Sequence, residues 1–215
     1  MARPRIIRET RREIPEREPP VSEEISAHRW LSGESSIEYE RLSSSRLPFA
    51  MYLSSVAEKK IREHAVGEAH RRLEVMGFLL GDVAKWKGKV YSIVSDVVTT
   101  QLKSSSSKVR FDPEAFPRLF AKLDDSGFDY ILVGWYHSHP GHTCFLSRTD
   151  LETQKTMFDQ PYHVALVIDP VNEDVKAFRL AGDGYEEVSF AVFRPKNGPK
   201  KVRTRRLKVT PVREE

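Results

Sequence analysis

The sequence predicts an α+β fold in one domain, with a mixed and mostly antiparallel sheet flanked by helices. Three observations lead there. Short β-branched and aromatic runs follow one another directly, first at 74–81 and 89–99, then at 163–168, 175–180 and 185–193. Stretches with helical spacing lie before and between these runs, so strands and helices interleave without a strict βαβ rhythm. Finally, 215 residues suit one core of ordinary size plus tails.

Taken in order, residues 1–46 are rich in Arg, Glu, Pro and Ser, and their apolar residues are too scattered to form a stripe. Such a segment buries too little surface to offset the entropy of ordering, so it reads as a flexible or partner-dependent arm. The texture changes at Leu47, where 47–53 reads as a short strand. Ser55 with Glu58 three residues later reads as a capping box opening a helix to about Arg72. The runs 74–81 and 89–99 read as two strands joined by a turn at Lys87 and Gly88, with Trp86 beside it. A polar loop follows, with four consecutive serines. Phe116, Leu119, Phe120 and Leu123 then share one face of a helix over 113–124. Residues 130–137 (YILVGWYH) form a continuous apolar strand of the buried kind. A helix over 148–158 and the three closing strands complete the domain at 193, leaving 194–215 as a basic tail.

No apolar run approaches the roughly 18 residues that would span a bilayer, and the chain begins in charge rather than in an apolar leader. The expectation is a soluble, cytoplasmic protein with no membrane partner. The lone Cys144 fits a reducing compartment. Scarce Asn and Gln beside 31% charged residues suggest a thermophilic source. Net charge is +4, but residues 194–215 hold nine basic and two acidic groups, so the basic balance belongs to the tail. That tail reads first as a solvated run; an acidic partner surface is a second reading and nucleic acid a weaker third.

The chemistry concentrates in 134–150, GWYHSHPGHTCFLSRTD. His137 and His139, two apart on a strand, point to one face and can reach one ion. Pro140 and Gly141 end that strand. Ser147 sits where a helix N-cap belongs, with Asp150 three residues on. Two imidazoles and a carboxylate make the three-ligand set of a catalytic zinc site with a fourth position open to water. By spacing alone the same residues also read as two ordinary histidines and a capped helix.

At these positions the sequence resembles the JAMM, or MPN+, metalloprotease family, whose signature is an upstream Glu, then His-x-His, seven residues, Ser, two residues and Asp. Here those are Glu74, His137, His139, Ser147 and Asp150, with no departure in spacing. EVMGFLLG at 74–81, VGWYHSHPG at 133–141 and the Cys-x-Leu-Ser run at 144–147 look most like the proteasome-lid and signalosome branch of that family. The resemblance covers about 47–193 and implies a single MPN-type domain.

It also implies one zinc per chain on His137, His139 and Asp150, Glu74 as the group that moves the water proton, and Ser147 as the donor to the oxyanion. The implied partners are ubiquitin or a ubiquitin-like modifier with its conjugates, and a proteasome or similar assembly. The modifier's tail would lie in a groove walled by the 101–109 loop, with Gln101, Ser104, Ser105, Ser106, Ser107 and Val109 as candidate contacts. Three readings follow: an isopeptidase on lysine conjugates, a peptidase that trims a modifier or sulfur-carrier precursor to Gly-Gly, and a non-catalytic scaffold. His142 reads as a non-ligand, Cys144 as a packed thiol, His163 as a satisfied core histidine, and Trp135 and Tyr136 as packing residues of the sheet.

Overall fold

The computed structural model describes residues 13–20, 24–45, 47–99 and 131–195. The expected helix at 113–124 and the groove residues Gln101, Ser104, Ser105, Ser106, Ser107 and Val109 lie outside them. The elements in chain order are β1 (Ile25–Ser26), α1 (Gly33–Ser43), β2 (Met51–Ser54), α2 (Ser55–Ala69), β3 (Met76–Trp86), β4 (Lys89–Thr99), β5 (Ile131–Ser138), α3 (Arg148–Met157), β6 (Val164–Asp169), β7 (Asp174–Ala181), β8 (Gly184–Val188) and β9 (Phe190–Phe193). The strands form one mixed sheet in the order β1-β9-β2-β4-β3-β5-β6-β7-β8. Pairing is parallel at β2–β4, β2–β9 and β5–β6 and antiparallel elsewhere, so the α+β class and the mostly antiparallel sheet stand.

The centre of the sheet is β3, whose alternating side chains divide the interior. Leu79 and Val83 join α2's Ala57, Ile61 and Ala65, residues one helical turn apart, in the larger cluster. Met76, Phe78 and Leu80 lie on the other face with Trp135, Leu146 and Phe158. β5 is drawn tightly onto β6 at Gly134, where φ is +154° and an added Cβ would stand 2.0 Å from the Val164 carbonyl oxygen. Only glycine fits there. The hairpin turn falls at Lys87 and Gly88, both at positive φ, as the sequence suggests.

Three expectations are corrected. The N-cap of α2 is Ser54, not Ser55: its hydroxyl accepts from Ala57 N at 3.1 Å and donates to Ser95 O at 2.8 Å, tying the helix start to β4. Glu58 is thereby free for another task, accepting from Arg62 at 2.8 Å and facing His28 Nε2 at 3.3 Å. The last strand is two strands, β8 and β9, with Ser189 between them as the chain crosses from one edge of the sheet toward the other. Residues 24–45, expected within a flexible arm, carry β1 and α1, and Trp30 and Leu42 are buried. Single apolar anchors and the His28–Glu58 contact dock this segment, and neither leaves a periodic stripe in the sequence. Further upstream, Pro15 O and Arg17 N exchange hydrogen bonds with Lys85, extending the outer half of β3.

His163 is a core histidine, 7% exposed, with Nδ1 accepting from Gln160 N at 3.2 Å. Burial pushes its pKa down to about 4. The unfolded imidazole, near 6.5, then binds more protons than the folded one between those values, so stability should fall as pH drops through that window. The expected loss is on the order of 3 kcal/mol. His163→Phe should flatten the slope of chemical-denaturation stability between about pH 6.5 and 4, and an unchanged slope would show that His163 is not its source.

Candidate metal centre

β5 delivers the first candidate ligand, His137, and its continuation the second, His139. β5 runs between β3 and β6, with Met76 opposite His137 and Ser138 opposite Ile168. Past the strand end, His139 N still donates to Ile168 O at 2.9 Å, which holds His139 on the His137 face before Pro140 stops the ladder. The chain then loops through Gly141 at φ +82° and Thr143 at φ +64°. It enters α3 at Ser147, whose Oγ accepts from Asp150 N at 3.2 Å while Asp150 Oδ2 accepts from Ser147 N at 2.8 Å. This capping box turns the Asp150 carboxylate back over the strand end.

Three donor atoms converge there. His137 Nε2 and His139 Nε2 are 3.1 Å apart, and Asp150 Oδ2 lies 3.4 Å from the first and 3.7 Å from the second. Ligands about 2.0–2.1 Å from a tetrahedral zinc stand about 3.3 Å from one another, so this triangle has the right size. His139 Nδ1 lies 3.2 Å from Thr143 O, an acceptor only, so Nδ1 carries the proton and the Nε2 lone pair faces the triangle. Two imidazole nitrogens at 3.1 Å need a cation or a proton between them. The donor set is that of a zinc site with one position left open, and the residues fit the metal.

The His137 ring is set differently. It stacks on Trp135 at 4.5 Å and 11°, while its buried Nδ1 has no hydrogen-bond partner among the described residues. Trp135 Nε1 donates to the fully buried Gln154 at 2.6 Å, and Gln154 Nε2 donates to Phe158 O at 3.0 Å. One helix, α3, therefore supplies one candidate ligand, Asp150, and, one turn later, the pin for the ring behind another, His137. Burial works against the Asp150 charge, but hydrogen bonds to His137 and His139, with Ser147, outweigh it and hold the carboxyl well below its usual range. For His139, burial disfavours the charged ring, and Asp150 followed by Glu74 raises its proton affinity overall.

Glu74 is placed by register. Val75 accepts from Ser138 N at 2.9 Å through its carbonyl and donates to Ser138 Oγ at 2.9 Å. Continuing the pairing from Met76–His137 sets Glu74 opposite His139 on the ligand face, and its charge is felt there. It is half-buried and stands outside the three-atom cluster. Ser147 Oγ uses a lone pair on Asp150 N, and among the described residues its O–H has no acceptor.

The structure thus brings together His137, His139 and Asp150, with Ser147 bonded to Asp150 and Glu74 opposite His139. His142 is exposed and outside the cluster. Cys144 is buried, donating to Val167 O at 3.3 Å, and burial with the nearby Asp174 carboxylate pushes its pKa far up, so it is a packed thiol. Sequence reasoning missed Gln154, Phe145 and Asp169. Gln154 had a signal, lying four residues after Asp150 on one helix face. Phe145 is 40% exposed and its ring centre is 4.9 Å from that of His139. Fully buried Asp169 holds the loop between the ligands, accepting from Gly141 N and Thr143 N at 2.8 Å each, and these bonds depress its pKa against the pull of burial. Its Asp-Pro-x-Asn context signals a turn but not what the turn supports.

Fold and site together define an α+β domain whose His137, His139 and Asp150 form a group that could hold a metal. The family described as JAB1/Mov34/MPN/PAD-1 ubiquitin protease matches residues 49–160, just over half of the chain, and the chain belongs to that family. Among curated relatives, ubiquitin carboxyl-terminal hydrolase RPN11 of Saccharomyces cerevisiae is 36% identical over 143 residues, 62% of this chain and 44% of its own length. COP9 signalosome complex subunit 5 of Debaryomyces hansenii is 35% identical over 146 residues, 63% of this chain and 30% of its own. The chain spans less than half the length of these relatives. Among solved structures, protein DSY2949 of Desulfitobacterium hafniense shares the fold at a TM-score of 0.52 and 21% identity, over 67% of this chain and 94% of its own. No helix among the described residues is long and apolar enough to cross a membrane.

Proposed function

We propose that this chain is a zinc-dependent isopeptidase that removes ubiquitin or a ubiquitin-like modifier from lysine side chains. The observation that carries this reading is the convergence of His137 Nε2, His139 Nε2 and Asp150 Oδ2 within 3.7 Å of one another, with Glu74 set opposite His139 by register. Zinc at such a site supplies a Lewis acid and lowers the pKa of water toward neutrality. Glu74 takes a proton from the attacking water and hands it to the departing lysine amine. The Ser147 hydroxyl donates to the oxyanion that develops on the scissile carbonyl oxygen. Phe145, exposed beside His139, offers an apolar wall for the methylene stem of the lysine.

Matches to proteins named as proteasome and signalosome subunits, one of them a ubiquitin carboxyl-terminal hydrolase, support a modifier conjugate as substrate and a protein-degrading assembly as partner. The test offers the purified chain a lysine conjugate and a C-terminally extended precursor of the same modifier, with zinc and with a chelator. Zinc-dependent cleavage of the conjugate is expected. Cleavage of the precursor alone would assign a processing peptidase, and zinc binding with no cleavage of either would assign a scaffold.

A further inference from the structure

We propose that Asp169, at the end of β6, is a positioning residue for the metal centre: its carboxylate clamps the loop after Pro140 so that the Thr143 carbonyl fixes the His139 ring. This rests on the metal reading above. Asp169 accepts from two turns at once. Oδ1 takes Gly141 N at 2.8 Å, Val171 N at 2.9 Å and Asn172 N at 3.2 Å, and Oδ2 takes Thr143 N at 2.8 Å and Asn172 Nδ2 at 2.7 Å. The carboxylate is fully buried, whereas Gly141, His142 and Thr143 are exposed. The backbone of this stretch is held by hydrogen bonds: the two N–H bonds to Asp169, beside His142 N donating to His139 O at 3.0 Å.

The geometry they hold is one the chain avoids. Thr143 sits at φ +64°, where a β-branched residue is strained. Held there, its carbonyl meets His139 Nδ1 and sets the tautomer that turns Nε2 toward His137 and Asp150. Release of the clamp lets Thr143 relax and frees the ring to rotate or change tautomer. Partners of this kind behind a ligand typically govern metal affinity by about 10–100-fold.

The experiment measures zinc affinity of the full chain by competition with a chromophoric chelator, for the unsubstituted protein, Asp169→Asn and Asn172→Ala. In Asp169→Asn one oxygen is replaced by an amide donor that faces N–H groups, so zinc affinity should fall about 10–100-fold. Asn172→Ala removes one contact from the turn side and leaves those to Gly141 and Thr143, so its affinity should stay within about twofold. A folded Asp169→Asn chain with unchanged affinity overturns the proposal. So do equal losses in the two variants, because both would then follow from general destabilisation. Amide exchange of the unsubstituted, zinc-free chain decides the matter even where Asp169→Asn does not fold: Gly141 and Thr143 should exchange slowly despite their exposure, and rapid exchange overturns the clamp. An unsubstituted chain that binds no zinc overturns the metal reading itself, and this inference with it.

Discussion

Glu74→Gln should lower turnover of a lysine conjugate by about a thousandfold while leaving zinc content near that of the unsubstituted chain. The amide keeps the shape of the carboxylate, so the β3–β5 register that places residue 74 opposite His139 should survive; that register is held by Val75 and Ser138, not by the Glu74 side chain. What disappears is basicity, and with it the proposed route by which a proton passes from water to the leaving amine. Glu74 stands outside the cluster of converging donor atoms, although its charge raises the proton affinity of His139. A few-fold change in zinc affinity is consistent with losing that charge. Elemental analysis beside steady-state kinetics separates the outcomes. Loss of zinc together with activity would make Glu74 a ligand, and full activity would place the base elsewhere.

The parts of this molecule legible in the sequence are those whose physics is local. β4 and the Lys87–Gly88 turn could be read because β-branched alternation and a positive-φ dipeptide fall within one short stretch. The convergence of His137, His139 and Asp150 could be read because both histidines share a strand end and Asp150 occupies the first turn of the next helix. Glu74 is distant in sequence and was found only through family resemblance; its place opposite His139 depends on an antiparallel register that no local pattern encodes. Asp169 was invisible for the same reason. It reaches Gly141 and Thr143 only because β6 lies parallel to β5, and a parallel neighbour cannot be inferred from either strand alone. The segment 24–45 was misread because Trp30 and Leu42 are isolated anchors, and burial through single residues escapes any test of periodicity.

Asp150→Asn should release zinc and bring activity down to the level seen with a chelator, while leaving α3 folded. The residue has two tasks that this substitution separates. As part of the capping box it accepts from Ser147 N at 2.8 Å, and an asparagine carbonyl oxygen can do the same. As a proposed ligand it contributes the only negative charge among the three converging donors. Loss of that charge leaves two neutral imidazoles, and zinc affinity should drop by at least about a hundredfold, more than the loss of an outer partner costs. The helix should persist because Trp135 still donates to Gln154 and Leu151 N still donates to Ser147 O. Zinc content, helical circular dichroism and conjugate cleavage measured on the same sample check this together. Retained zinc with lost activity would show that Asp150 orients substrate rather than metal, and loss of helical signal along with zinc would show that the cap, not the charge, is what the site depends on.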